Sequence, residues 1–112
     1  MPIHTDLANG RWQQLTLAEQ LGNIGSEVSR AISWGRRQES NQKERALERA
    51  LELFDLTLAD SRWIGRRNEL CRAREVVCDF IAGSNAYHST EKNLQNYFDA
   101  FAMQARLQSQ RS

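Results

Sequence analysis

Proline occurs once in this 112-residue chain, at Pro2, and the six glycines are not gathered into the clusters that separate strands. No later residue therefore lacks an amide donor or breaks a helix from within. Histidine is scarce, at His4 and His88 alone, and neither has a second ligand at helical spacing. No arginine lies four to six residues before His88, which removes the pattern used by small helical ribonucleases. No apolar run approaches the eighteen residues of a membrane span, and "MPIHTDLANG" lacks the basic and apolar regions of a secretory leader. The expectation is a cytoplasmic protein with no membrane partner. Cysteine is limited to Cys71 and Cys78. Seven residues apart on one helix, they stand roughly 10 Å apart in rise, beyond disulfide reach. They read as small buried or interface hydrophobes.

Charge of one sign is also lacking. The net charge is +1, which excludes a whole-chain electrostatic case for nucleic acid. Within that balance lysine is almost absent: Lys43 and Lys92 accompany thirteen arginines, a choice favouring planar, bidentate or stacked contacts.

What the chain has in quantity is helical period. Apolar residues recur at steps of three and four in four segments, and no segment alternates with the period of a strand. Thr16-Leu-Ala-Glu19 fits a capping box that opens a first helix bearing Leu17, Leu21, Ile24, Val28, Ala31 and Ile32 on one face. The second carries Leu47, Ala50, Leu51, Phe54 and Leu58 behind a cap at Ser40 or Asn41. The third, starting near Trp63 or Gly65, carries Leu70, Ala73, Val77, Phe80 and Ile81 and ends at Gly83. The fourth, capped by Ser89 or Thr90, carries Leu94, Tyr97, Phe98, Phe101, Ala102 and Ala105. Spans of about 16–36, 42–60, 64–82 and 90–107 joined by short loops predict an all-α, antiparallel up-down four-helix bundle. One domain covering 1–112 is expected, with flexible residues 1–11 and 108–112.

The first helix keeps Gly22 and Gly25, each costing about 1 kcal/mol relative to alanine. At 100° per residue Ala18, Gly22, Gly25 and Ser29 fall within about 60°, a small-residue stripe where another helix of this bundle or of a neighbouring subunit can approach closely. Glu27 sits on the opposite shoulder. It is the expected partner of Arg74, which falls among Leu70, Val77 and Ile81; Asp55 is the alternative, and Asn23 or Gln20 could complete a polar layer.

Between positions 62 and 74 stand Arg62, Arg66, Arg67, Arg72 and Arg74 against one acid, Glu69. With Trp63 and Trp12 at the same end, this stretch offers phosphate-pairing forks and stacking surfaces for nucleic acid or an acidic partner, and Arg36 and Arg37 beside Trp34 form a second such pair. The opposing reading is that these arginines balance the acidic second helix. Leu53, Leu56 and Met103 fall off the core stripes and are candidate subunit contacts. A rival function is a magnesium-dependent nucleotide hydrolase using Glu44, Glu48, Glu52, Asp55, Glu75 and Asp79. The i, i+4 ladder of Glu44, Glu48 and Glu52 instead suits a solvated face. No catalytic residue, metal ligand or cofactor site is assigned.

The segments "LAEQLGNIGSEVSRAISW", "RALELFDLTLAD", "ELCRAREVVCDF" and "YFDAFAMQAR" resemble those of a group of small bacterial four-helix-bundle proteins. These are the accessory variability determinant proteins of diversity-generating retroelements and the related proteins encoded in intervening sequences of 23S ribosomal RNA genes. The resemblance spans about residues 12–106. It implies a non-enzymatic, ring-forming homo-oligomer, typically a pentamer, that binds RNA or DNA and assists a reverse transcriptase. The near-neutral charge makes docking to a protein the stronger half of that implication. A toxin-antitoxin type regulatory interaction module shares the same physics with a different partner.

Overall fold

The computed structural model describes residues 10–111, the last three of these by backbone alone. After a short 3-10 turn at Trp12–Gln14 come four helices: α1 (Leu17–Arg36), α2 (Ser40–Leu58), α3 (Arg67–Ala82) and α4 (Glu91–Arg111). Among the described residues there is no strand, and the chain is an all-α four-helix bundle. Successive helices run antiparallel. Glu27 of α1 meets Arg49 of α2, Asp55 of α2 meets Arg74 of α3, and Glu69 of α3 meets Tyr97 of α4.

Local chemistry explains most boundaries. Thr16 Oγ1 accepts from Glu19 N–H at 3.1 Å while Glu19 Oε1 accepts from Thr16 N–H at 2.9 Å, a complete capping box. Thr90 Oγ1 accepts from Asn93 N–H at 3.0 Å and opens α4. The start of α2 is corrected: Ser40 is its first residue, and the preceding Glu39 makes no side-chain cap. The start of α3 is corrected too. Residues Ser61–Arg66 form a 3-10 segment kinked at Trp63 (φ −108°, ψ 20°), because Asp60 Oδ1 accepts from Arg62 N–H at 3.1 Å and tightens the turn. Gly83 ends α3 through close approach, since a Cβ there would lie 3.0 Å from Asp79 Cα and O. Helix α4 continues as far as Arg111, and residues 1–9 and Ser112 lie outside the described residues.

One apolar core draws on all four helices: Leu21, Ile24 and Val28 of α1, Leu53 and Phe54 of α2, Leu70 and Val77 of α3, Leu94 and Phe98 of α4. Trp12, 1% exposed, closes one end. Leu53 is buried within this core, which removes it from the candidate subunit contacts, and Leu56 is half-buried against it. Met103 is exposed. Cys71 is exposed and Cys78 half-buried, both free, so neither is fully buried in the core.

The helices share this core unequally. Helix α1 packs extensively on α2 and α4, whereas α3 leans mainly on α2 and its backbone scarcely approaches α4. The glycine stripe accounts for the tight side. A Cβ at Gly25 would lie 2.5 Å from Phe98 Cβ, and one at Gly22 would lie 3.5 Å from Ala102 Cα. The helix that approaches the stripe is thus α4 of the same chain.

Candidate functional site

The expected pairing of Glu27 with Arg74 does not form. Glu27, buried on α1, accepts from Arg49 Nε at 2.9 Å and from Arg30 at 2.7 Å, while Arg74 pairs with Asp55 at 2.9 Å. Arg74 is only half-buried, on the side of α3 that meets Asp55 of α2. The polar layer lies elsewhere. Gln20, fully buried, donates to Trp12 O at 2.9 Å and to Asp60 Oδ2 at 3.3 Å, and accepts from Trp63 Nε1 at 3.0 Å. Trp12 Nε1 donates to Thr57 Oγ1 at 3.0 Å. Both tryptophans are therefore built into the bundle end, which satisfies their N–H groups, rather than offered as stacking platforms.

The same network occupies Arg62. Its guanidinium donates to Asp60 Oδ2 at 2.7 Å and to Leu15 O at 2.7 Å, with its carbon 4.5 Å from the Trp63 ring centroid. Hydrogen bonding from Arg62 holds the Asp60 carboxyl below the usual carboxylate range, against the upward push of burial. Arg66 pairs with Glu69 at 2.9 Å, Arg36 with Glu91 at 2.6 Å, and Arg67 donates to Leu58 O at 3.2 Å. Arg37 stacks 5.3 Å from the Trp34 centroid and Arg72 5.5 Å from that of Tyr87. Among the five arginines at 62–74, only Arg67 and Arg72 have no carboxylate partner among the described residues.

The open side of α3 forms a cleft of about 360 Å³ against α4. Val76, Val77, Leu94 and Phe98 supply its apolar floor; Glu69, Arg72, Tyr87, His88, Asn93 and Tyr97 supply its polar rim. Tyr97 stands edge-on to Phe98 and Phe101, with centroids 5.1 and 5.3 Å away, and its hydroxyl donates to Glu69 at 3.3 Å. Burial, then the Glu69 carboxylate, pushes the Tyr97 phenol up to about 12.

The loop between α3 and α4 closes one end of the cleft. Asp79 accepts the amides of Ala86 and Tyr87 at 3.0 and 3.1 Å, and Asn85 exchanges two hydrogen bonds with Ser89 at 2.8 and 3.0 Å. These bonds hold Asn85 and His88 in left-handed conformation (φ 58° and 54°), one that both residue types tolerate better than most. Tyr87 is fixed by donating to Glu75 at 3.1 Å, which raises its phenol pKa. His88 is exposed at the rim; His4 lies outside the described residues.

The acidic residues do not converge. Asp55 is taken by Arg74, Asp79 by loop amides and Glu75 by Tyr87. Among the described residues no three His, Cys, Asp or Glu side chains gather as a metal site would require. Sequence reasoning missed the cleft, whose only forward signal was the tyrosine-bearing loop, and missed Asp60, whose place before "SRW" was a readable turn cap. Among the described residues no helix is long and apolar enough to cross a membrane. Compared with protein-family models, curated proteins and solved structures, the chain matches none of them.

Proposed function

We propose that this chain is a non-enzymatic, oligomeric accessory protein that acts by docking a protein partner, whose amphipathic helix lies in the α3–α4 cleft. The observation that carries this reading is the asymmetry of the bundle: only Leu70 and Val77 of α3 are fully buried, and its α4-facing side opens as an apolar-floored cleft with a polar rim. Laying an apolar helix face into such a groove is a recurring mode of recognition. Nucleic acid is the weaker partner, because phosphate binding draws on several uncommitted cations and most of this surface's arginines are already engaged. Met103 and Leu107, 57% and 49% exposed, would carry self-association. The family resemblance makes a reverse transcriptase the first partner to test and a pentamer the first assembly.

Light scattering after gel filtration tests the oligomer, with Met103→Lys and Leu107→Lys expected to lower the mass; a wild-type monomer at every concentration removes that part. A salt-titrated binding assay with RNA and DNA tests the choice of partner. Tight binding that weakens steeply with salt and disappears in Arg67→Glu would replace protein docking with nucleic-acid binding.

A further inference from the structure

We infer that the partner helix seated in the α3–α4 cleft carries a carboxylate that pairs with Arg72, a statement that rests on the docking reading above. Two charged side chains line the cleft apart from His88, and they are not equivalent. Glu69 is occupied by Arg66 at 2.9 Å and by the Tyr97 hydroxyl at 3.3 Å. Arg72 has no carboxylate partner among the described residues and rests over the Tyr87 ring.

Stacking engages the face of a guanidinium and leaves its edge donors available, and that edge is the part that grips a carboxylate bidentately. The stack is also prepared in advance. Tyr87 is fixed at its hydroxyl by Glu75 and at its amide by Asp79, so Arg72 rests on a ring whose position the loop already determines. Such preorganisation lowers the ordering cost of binding.

The surroundings select among anions. Glu69, Glu75 and Asp79 lie on the same helix within two turns of Arg72, so a polyanionic strand laid along α3 would meet as many carboxylates as cations, Arg67 and Arg74 included. A single carboxylate flanked by apolar side chains escapes that repulsion. One residue along from Arg72, Ala73 begins the apolar lining that continues at Val76 and Val77. The fitting segment therefore has an apolar stripe at i, i+3 or i+4 and i+7, with one Asp or Glu beside it near the Tyr87 loop.

A displayed library of random helical peptides, selected against the full-length chain, tests this directly. The expected binders share that stripe and one acid at constant register to it. Their affinity should fall roughly 10- to 100-fold in Arg72→Glu and recover when the peptide acid is changed to Lys. Tyr87→Ala should weaken them less than Arg72→Glu does, and Val76→Asp should abolish binding. Circular dichroism confirms that each variant folds. Binders without a constant acid, or indifferent to Arg72→Glu, overturn the carboxylate inference and leave the docking reading standing. Binders indifferent to Val76→Asp, or a library yielding none, overturn both. An RNA oligonucleotide that binds wild type and fails on Arg72→Glu overturns the inference in favour of nucleic acid.

Discussion

Gly22 and Gly25 lie three residues apart on one helix, yet alanine should act oppositely at the two. Either substitution recovers the helix propensity that glycine lacks, about 1 kcal/mol. At Gly25 the new methyl would stand 2.5 Å from Phe98 Cβ and 2.9 Å from Cγ, about 1 Å inside ordinary contact. Phe98 cannot swing clear: it is 5% exposed and wedged between Phe54 and Tyr97, with centroids 6.4 and 5.1 Å away. Relief must come from α4 moving off α1, and overpacking of this kind costs about 1–3 kcal/mol. Since neither the Cβ nor the ring has room, the upper part of that range applies, and Gly25→Ala should lose about 1–2 kcal/mol net. At Gly22 the nearest atom would be Ala102 Cα at 3.5 Å, an ordinary contact, so Gly22→Ala should gain about 0.5–1 kcal/mol. The two variants then differ by about 2 kcal/mol, a separation of roughly 8 °C or more in a domain of this size. Urea unfolding followed by far-ultraviolet circular dichroism, with thermal melts beside it, reads the difference. Two stabilising alanines would show that α4 does not approach α1 this closely; two equally destabilising ones would show that Gly22 faces a tighter contact than Ala102 provides. Leucine at either site should disrupt the bundle.

Glu27→Gln should cost about 1–2 kcal/mol in urea unfolding, the lower end of what a buried charged acceptor contributes, since Arg49 and Arg30 are 29% and 59% exposed. Arg74→Met should change stability by less than about 0.5 kcal/mol, because Asp55 is 60% exposed and water screens the pair; the reverse order would contradict these partner assignments. Asp60 has a lowered folded-state pKa, so its stabilisation is complete above the unfolded value of about 3.9 and is lost as pH falls through the folded value. The urea midpoints of wild type and Asp60→Asn should therefore keep a constant gap from neutral pH down to about 4 and converge only as pH falls further, and a gap that stays constant below that point would refute the Arg62–Asp60 account.

The parts of the fold legible in the sequence are those fixed within one turn of chain. The Thr16–Glu19 capping box needs only spacing, and so do the apolar stripes and the Thr90 cap. The glycine stripe disclosed a close approach without naming its partner, because periodicity gives a helix's faces but not the order of helices around a core. Helix order also decided the polar pairs. Glu27 on the shoulder of its helix and Arg74 within its apolar stripe make a plausible pair, but α1 packs on α2 and α4 more than on α3, which brings Arg49 to Glu27 and Asp55 to Arg74.

The basic patch shows why charge counted along a chain misleads when the segment sits at a junction. Arg62 to Arg74 reads as five cations against Glu69, but Asp60 precedes the kinked turn and Asp55 reaches Arg74 from α2, and neither falls inside the counted window. Arg62 serves the most buried of the acids these arginines pair with, since the turn aims it at a carboxyl that already receives Gln20. Removing Arg62 would therefore expose a buried acid before it altered any surface potential. Arg72 differs because nothing on α2 or α4 brings a carboxylate within pairing distance, and the loop supplies an aromatic ring instead. Helix order thus leaves an arginine uncommitted on the same side of α3 that it leaves uncovered, which gives the cleft a charge as well as an apolar floor.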